Sequence, residues 1–238
     1  MPPPAPYPLT TEIEAVVFDC DGLLVDTESC WTRAEAAVFE EHGHAFGLEQ
    51  KKLLIGRTPT DLGFILAEHF GCPGQEAALT ATLLDRVRQE LEEGVSLLPG
   101  ALDLVRTCAE RVPVAVASNS PRPLLEIALN STGLTGLLPV SLSVDDVPHP
   151  KPAPDLYLAA CAALGAGPAR SVAFEDSRTG VAAARAAGLN LVVVPSLPDA
   201  EPGTESGDDW LLESLADPAL HQWADALTVS PGSTALQG

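Results

Sequence analysis

Short apolar runs alternate with helical stretches along most of this chain, and each run ends in polar residues. Four runs have the length and composition of buried strands: IEAVVF (13–18), PVAVAS (113–118), SVAFE (171–175) and NLVVVP (190–195). Helical patterns begin near residue 100 and cover 154–164 and 179–187, ahead of three of these runs. Such alternation predicts a parallel sheet with crossover helices, and PVSLS (139–143) predicts one further strand.

The interval from residue 28 to 95 interrupts this alternation. Its three longest segments, 29–43, 59–70 and 75–94, have helical patterns, and no strand pattern lies between them. We therefore predict a helical cap at 28–95, inserted between the two pieces of an α/β core at 9–27 and 96–198. The segment 199–238 is acidic and rich in Gly, Pro and Ser, apart from one predicted helix at 208–216.

The charge and the cysteines restrict the partners and the compartment. A formal net charge of -20 argues against nucleic acid and anionic membranes, because both require basic surfaces. No apolar run approaches the ~18 residues that span a bilayer, and MPPPAPYPLT lacks the features of a secretory signal. The five cysteines form no CxxC pair, which indicates reduced thiols. We expect a cytoplasmic protein, monomeric by default.

The polar residues that follow the strands are the candidates for a functional site. Ligands of parallel α/β sheets bind outside the carboxyl ends of the strands, so these residues are expected to converge on one edge. They are Asp19 and Asp21 after the first run, Ser118 and Asn119 after the second, Lys151 in the loop PHPKPAP, and Glu175 with Asp176 at the end of SVAFE. Four separate segments therefore deliver carboxylates, a hydroxyl and an ammonium to the same place.

These residue types fit phosphoryl transfer. Clustered carboxylates repel each other unless a cation lies among them, and oxygen ligands favour Mg²⁺. One carboxylate can attack phosphorus, and a second, two residues on, can protonate the leaving oxygen and then activate water. Lys151 and the hydroxyl of Ser118 can hold the phosphoryl oxygens. Each feature alone has an ordinary reading as a turn, a helix cap or a surface lysine, but their order favours catalysis.

Four segments carry a family resemblance: FDCDGLLVDTE (18–28), ASNS (117–120), KPAPDLYLAA (151–160) and EDSRTGVAAARAAG (175–188). They resemble the four motifs of the haloacid dehalogenase superfamily, in its β-phosphoglucomutase-like phosphatase branch. The resemblance implies a Rossmann-like three-layer α/β core, with a four-helix cap inserted after the first motif.

The resemblance also implies a role for each residue. Asp19 is expected to be the nucleophile and a metal ligand, and Asp21 the general acid/base with its backbone carbonyl on Mg²⁺. The remaining roles are phosphate binding by Ser118, Asn119 and Lys151, Mg²⁺ ligation by Asp176, and support of the metal site by Glu175. We therefore expect a Mg²⁺-dependent phosphatase that hydrolyses a small phosphomonoester through an aspartyl-phosphate intermediate, with a sugar or polyol phosphate favoured.

Two departures bear on the alternatives. The carboxyl of Asp21 favours ester hydrolysis or mutase chemistry over dehalogenase or P-type ATPase chemistry. β-Phosphoglucomutases carry a histidine ten residues further on, where this chain has Trp31. They also carry a Ser-Arg pair after a cap glycine, where this chain reads Gly56-Arg57-Thr58-Pro59. A mutase and a phosphoglycolate-type phosphatase remain the alternatives. A binding protein without activity would be expected to have at least one broken motif, and none of the four motifs is broken. In the cap, Glu28, Trp31 and Arg57 are expected to select the small phosphorylated metabolite.

Overall fold

The computed structural model describes residues 8–54, 57–196 and 209–229 of the 238-residue chain. Two compact units divide these residues. The cap unit comprises Asp26–Ser96, and the core unit comprises the described residues up to Val25 and from Leu97 onwards.

Within the described residues the core unit contains eight strands, six of which form one parallel sheet. In chain order the strands are β1 (Glu12–Ile13), β2 (Ala15–Phe18), β3 (Val114–Ala117), β4 (Val140–Leu142), β5 (Ser171–Glu175), β6 (Asn190–Val193), β7 (Trp210–Leu211) and β8 (Thr228–Val229). The sheet has the order β4-β3-β2-β5-β6-β7, and every neighbouring pair is parallel. β1 pairs with β8 apart from it. All five strands that the sequence predicts are confirmed. They are recognisable in the sequence because parallel strands covered on both faces are continuous apolar runs.

The cap unit contains four helices. They are α1 (Thr27–Glu41), α2 (Leu48–Leu54), α3 (Pro59–Phe70) and α4 (Glu76–Glu93). α4 buries Leu79, Leu83, Val87 and Leu91, which recur every fourth residue and form one apolar stripe. The three helices predicted from patterning are confirmed, and α2 is the additional one. α2 buries only Leu54, so it shows no apolar periodicity.

Helices cover both faces of the core sheet. They are α5 (Ala101–Ala109), α6 (Arg122–Ser131), α7 (Asp155–Leu164), α8 (Arg178–Ala187) and α9 (Pro218–Asp225). α7 and α8 pack on the face that carries Val17 and Ala173, while the opposite face carries Phe18 and Phe174. The ring of Phe174 lies 6.0 Å from that of Trp223 in α9. The result is the expected Rossmann-like three-layer α/β core.

The helix predicted at 208–216 is wrong. Residues Trp210–Leu211 form β7, which pairs with Val192 and Val193 at the edge of the sheet, and residue 208 lies outside the described residues. A sheet edge presents unpaired backbone groups, and pairing with it overrides local helix propensity. Further on, Trp223 is fully buried and its Nε1 donates a hydrogen bond to the carbonyl of Thr10 at 3.1 Å. Residues 209–229 therefore belong to the packed core unit.

Two simpler expectations can be compared with the structure. All five cysteines are free thiols, as predicted. Within the described residues, no helix combines the length and apolarity needed to cross a membrane.

The burial of Trp223 gives a test of how strongly α9 is packed. We expect Trp223→Ala to lower the free energy of unfolding by about 3–5 kcal/mol, because it removes a large buried ring and leaves a cavity. Leu211→Ala is the control, since that side chain is half exposed, and its expected effect is below about 0.5 kcal/mol. Urea unfolding measures both. Equal, small effects would show that α9 contributes little to the core.

Candidate active site

The predicted site residues of the core lie at the carboxyl ends of β2, β3 and β5, except for Lys151, which lies in the loop between β4 and α7. Asp19 follows β2, and its backbone N–H donates to the carbonyl of Phe174 in β5 at 2.9 Å. Ser118 follows β3, and its N–H donates to Leu142 in β4 at 2.9 Å. These bonds extend the sheet by one residue and fix where each side chain begins. In the sheet, β3 and β4 lie on one side of β2, and β5, β6 and β7 lie on the other. The strand order therefore reverses at β2, and Asp19 lies at this topological switch point.

Lys151 connects two of the carboxylates directly. Its Nζ lies 2.5 Å from Oδ1 of Asp19 and 2.6 Å from Oε1 of Glu175. All three side chains are buried. An unpaired buried charge is costly, so the ammonium of Lys151 stabilises both carboxylates, which repel each other.

Asn119 positions the loop that carries Lys151. Its Nδ2 donates to the carbonyl of Lys151 at 3.1 Å, and its Oδ1 accepts the N–H of Lys151 at 2.9 Å. Both ends of the carboxamide are therefore used by the protein backbone. The structure places Asn119 beside the site as predicted, but its side chain acts there as a clamp on Lys151.

The carboxylate of Glu175 is hydrogen-bonded at both oxygens. Oε1 accepts from Tyr157 Oη at 2.6 Å, in addition to Lys151. Oε2 accepts the N–H groups of Asp176 and Ser177 at 3.1 and 3.3 Å. A Cβ at Gly180 in α8 would lie only 1.8 Å from Oε1, so glycine is required where the helix crosses this carboxylate.

Asp21 is held by two serine hydroxyls. Oδ2 accepts from Ser118 Oγ at 2.6 Å and from Ser120 Oγ at 2.9 Å. The following turn is closed by a hydrogen bond from the N–H of Gly22 to the carbonyl of Val25 at 2.9 Å. Gly22 has a φ of +81°, and a Cβ there would lie 2.5 Å from Oδ2 of Asp176, so only glycine suits this position.

The carboxylates carry more negative charge than the lysine balances. Burial, the largest effect, raises the pKa of Asp19 well above its usual range, although Lys151 opposes the shift. Burial and repulsion from Glu175 raise the pKa of Asp176 to about 7. Burial alone lowers the pKa of Lys151, but Asp19 and Glu175 outweigh it and the net shift is upward.

A divalent cation fits this arrangement. Asp19, Glu175 and Asp176 each offer a carboxylate oxygen, and these oxygens lie within 4.8 Å of one another. An all-oxygen donor set suits Mg²⁺, and the pKa values of Asp19 and Asp176 are raised first by burial and then by repulsion from neighbouring carboxylates, which a bound cation would oppose. Both oxygens of Glu175 already accept hydrogen bonds, so Asp19 and Asp176 are the better direct ligands.

Three contributing residues were not singled out from the sequence: Tyr157, Ser120 and Gly180. Tyr157 lies on the buried face of α7 beside Leu156, Ala160 and Cys161, within the helical pattern predicted at 154–164. Its phenol is the signal that could have found it, since a buried hydroxyl usually needs a polar partner. Ser120 belongs to the ASNS segment (117–120), for which a role was predicted only at Ser118 and Asn119.

The predicted cap residues lie in or next to cap helices. Glu28 is in the first turn of α1 and forms an ion pair with Lys51 Nζ at 2.5 Å. Lys51 also lies 2.7 Å from the buried Glu35, a contact that the sequence analysis did not anticipate. Trp31 is half-buried in α1. Arg57 is exposed between α2 and α3, with its Nε donating to Leu53 at 3.4 Å. Gly56, beside it, lies outside the described residues.

The sheet and the groups at its central strand ends define an α/β protein with a carboxylate-rich site. More specifically, the chain belongs to the haloacid dehalogenase-like hydrolases, whose family model matches residues 13–188. The predicted family and fold class are therefore confirmed, and β-phosphoglucomutase-like members occur among the solved neighbours.

Similar proteins define the enzyme class. Hexitol phosphatase B of Escherichia coli (strain K12) is 34% identical over 196 residues, covering 80% of this chain and 86% of that protein. Validoxylamine A 7'-phosphate phosphatase of Streptomyces hygroscopicus subsp. limoneus is 30% identical over 213 residues, covering 86% and 95%. The structure of CbbY from Rhodobacter sphaeroides with xylulose-(1,5)bisphosphate has a TM-score of 0.72 at 30% identity, covering 86% and 96%. The chain is a phosphoric monoester hydrolase, as predicted.

Removing the buried lysine tests the electrostatic account. We expect Lys151→Met to destabilise the protein by about 3–5 kcal/mol, because it leaves two buried carboxylates without their cation. Lys52→Met is the matched control. Lys52 pairs with Glu49 at the surface, so its loss is expected to cost less than about 1 kcal/mol. Chemical unfolding of both variants in metal-free buffer gives the comparison. Similar losses would contradict a structural role for Lys151.

Proposed function

We propose that this protein is a Mg²⁺-dependent phosphatase that hydrolyses a small sugar or polyol phosphomonoester through a phosphorylated Asp19. The observation that carries the proposal is the pairing of two differently held carboxylates at the end of β2. Asp19 lies against the ammonium of Lys151, and Asp21 accepts two serine hydroxyls. One carboxylate is thus kept as a nucleophile near a phosphate-binding cation, and the other is kept where it can exchange a proton.

The first half-reaction forms the phosphoenzyme. A carboxylate oxygen of Asp19 attacks phosphorus, the bond from phosphorus to the ester oxygen breaks, and a proton from Asp21 passes to the departing alkoxide. Lys151 and the hydroxyl of Ser118 bind the phosphoryl oxygens as their charge redistributes. Asn119 acts through Lys151, whose backbone it holds.

The second half-reaction returns the enzyme to its starting state. Asp21, now a carboxylate, takes a proton from water, and the oxygen of that water attacks the phosphorus of the aspartyl phosphate. The bond between phosphorus and Asp19 breaks, inorganic phosphate leaves, and Asp21 is protonated for the next cycle. Microscopic reversibility is respected because one residue acts first as the acid and then as the base.

Asp19, Asp176 and the backbone carbonyl of Asp21 are the proposed Mg²⁺ ligands, and Glu175 supports them. Bound Mg²⁺ would supply positive charge that lessens the repulsion between the phosphoryl group and the carboxylates. Glu175 contributes by holding Lys151 and by accepting the N–H group of Asp176. This division of roles follows from the hydrogen bonds that Glu175 already makes.

The substrate class rests on the relatives and on the cap. One relative is named for hexitol phosphates, and one solved neighbour holds a sugar bisphosphate. In the cap, we propose that Glu28, Trp31 and Arg57 contact the leaving group, since they offer a carboxylate, an indole and a guanidinium. Trp31 replaces the histidine of the mutases, which favours hydrolysis over isomerisation.

The decisive experiment measures inorganic phosphate release from hexitol phosphates, sugar phosphates and phosphoglycolate, with Mg²⁺ and with EDTA. We expect Mg²⁺-dependent release that is fastest with a sugar or polyol phosphate. Asp19→Asn is expected to reduce kcat by at least about a thousandfold, because it removes the nucleophile. Asp103→Asn is the control, as that carboxylate is exposed on α5. Conversion of β-glucose 1-phosphate into glucose 6-phosphate without phosphate release would overturn the proposal in favour of a mutase.

A further inference from the structure

We infer that Ser120 is the positioning residue for the general acid/base Asp21, and that Oδ1 of Asp21 is the oxygen that carries the transferred proton. The inference rests on the proposed function, in which Asp21 exchanges that proton. Both serine hydroxyls lie on Oδ2 of Asp21, at 2.6 Å for Ser118 and 2.9 Å for Ser120. Among the described residues no donor reaches Oδ1, which leaves that oxygen available.

Ser118 cannot hold Asp21 throughout the reaction. A serine hydroxyl has a single proton, and the proton of Ser118 is directed at Asp21 while its oxygen accepts the N–H of Ser120 at 2.9 Å. When Ser118 donates to a phosphoryl oxygen, as the proposed function requires, its bond to Asp21 is lost. The hydroxyl of Ser120 is then the donor that stays on Oδ2.

The backbone around Ser120 is fixed, as a positioning residue requires. Its carbonyl accepts the N–H of Val144 at 3.4 Å, and its own N–H is used by Ser118. It also precedes Pro121, and a following proline disfavours the helical conformation of a residue. The side chain is buried. Its hydroxyl therefore approaches Asp21 from a direction set by the chain rather than by a freely rotating surface side chain.

A positioning role predicts a dependence on the leaving group. A p-nitrophenolate ion departs without help from an acid, whereas an alkoxide needs the proton of Asp21 as the ester bond breaks. Misplacing Asp21 should therefore slow phosphoryl transfer from an alkyl phosphate and leave transfer from p-nitrophenyl phosphate nearly unchanged. A general structural disturbance at Ser120 would slow both reactions alike.

The test compares kcat/KM of Ser120→Ala with that of the wild-type enzyme, because kcat/KM reports the steps from free enzyme and substrate up to the phosphoryl transfer to Asp19 and does not depend on the later hydrolysis of the phosphoenzyme. The substrates are p-nitrophenyl phosphate and the alkyl ester that the wild-type enzyme hydrolyses fastest. We expect a loss of about tenfold for the alkyl ester and less than about twofold for the aryl ester. Ser120→Thr, which keeps a hydroxyl, should restore most of the alkyl activity.

Equal losses on both esters, or no loss on either, would overturn the inference. Thermal unfolding of each variant checks that it is folded. If Ser120→Ala is not folded, Ser120→Cys is measured in its place, since a thiol is similar in size but a weak donor. Comparison of the wild-type enzyme with Asp19→Asn distinguishes a failure of the proposed function from a failure of the inference about Ser120. If Asp19→Asn hydrolyses the esters as fast as the wild-type enzyme, the proposed function itself is contradicted. If hydrolysis requires Asp19 but Ser120→Ala slows both esters equally, only the inference is contradicted.

Discussion

The ammonium of Lys151 lies between two buried carboxylates, Asp19 and Glu175, and the arrangement of the site depends on this contact. Burying like charges at neighbouring strand ends is unfavourable unless a cation is placed between them. Lys151 comes from a loop after β4, two strands away from Asp19, so the contact also ties that loop to the centre of the sheet. The carboxamide of Asn119, which follows β3, is hydrogen-bonded to the backbone of Lys151. The segment after β3 therefore helps to position the lysine of the loop after β4.

The surrounding packing serves the same contact. Tyr157 of α7 donates to Glu175 at 2.6 Å, and its ring lies beneath the lysine, 4.9 Å from Nζ. α8 approaches the other side of Glu175 at Gly180, where no side chain could be accommodated. The helices on this face therefore do more than cover the sheet. α7 supplies the phenol, and the ammonium of Lys151 with the N–H groups of Asp176 and Ser177 completes the hydrogen bonds to this carboxylate.

The sequence was sufficient to predict the features that depend on local patterning. The runs at 13–18, 113–118 and 171–175 are short, apolar and alternate with helical stretches, which predicts buried parallel strands and places the polar residues after them at one edge of the sheet. What could not be predicted depends on distant partners. β7 forms because it can pair with β6, which is separated from it in the sequence. α2 buries a single residue and so has no apolar periodicity. The role of the Tyr157 hydroxyl depends on its hydrogen bond to Glu175, which the local sequence does not indicate.

In the proposed reaction the carboxylate beside Lys151, that of Asp19, becomes phosphorylated. This step is tested most directly by reacting Asp21→Asn with p-nitrophenyl phosphate and Mg²⁺, quenching in acid, and locating the phosphoryl group by peptide mass spectrometry. The aryl ester needs no acid to depart, while the second half-reaction lacks its base, so the phosphoenzyme should accumulate. The account predicts one phosphoryl group on the peptide that contains Asp19. A phosphoryl group on another residue, or turnover with none detected, would contradict it.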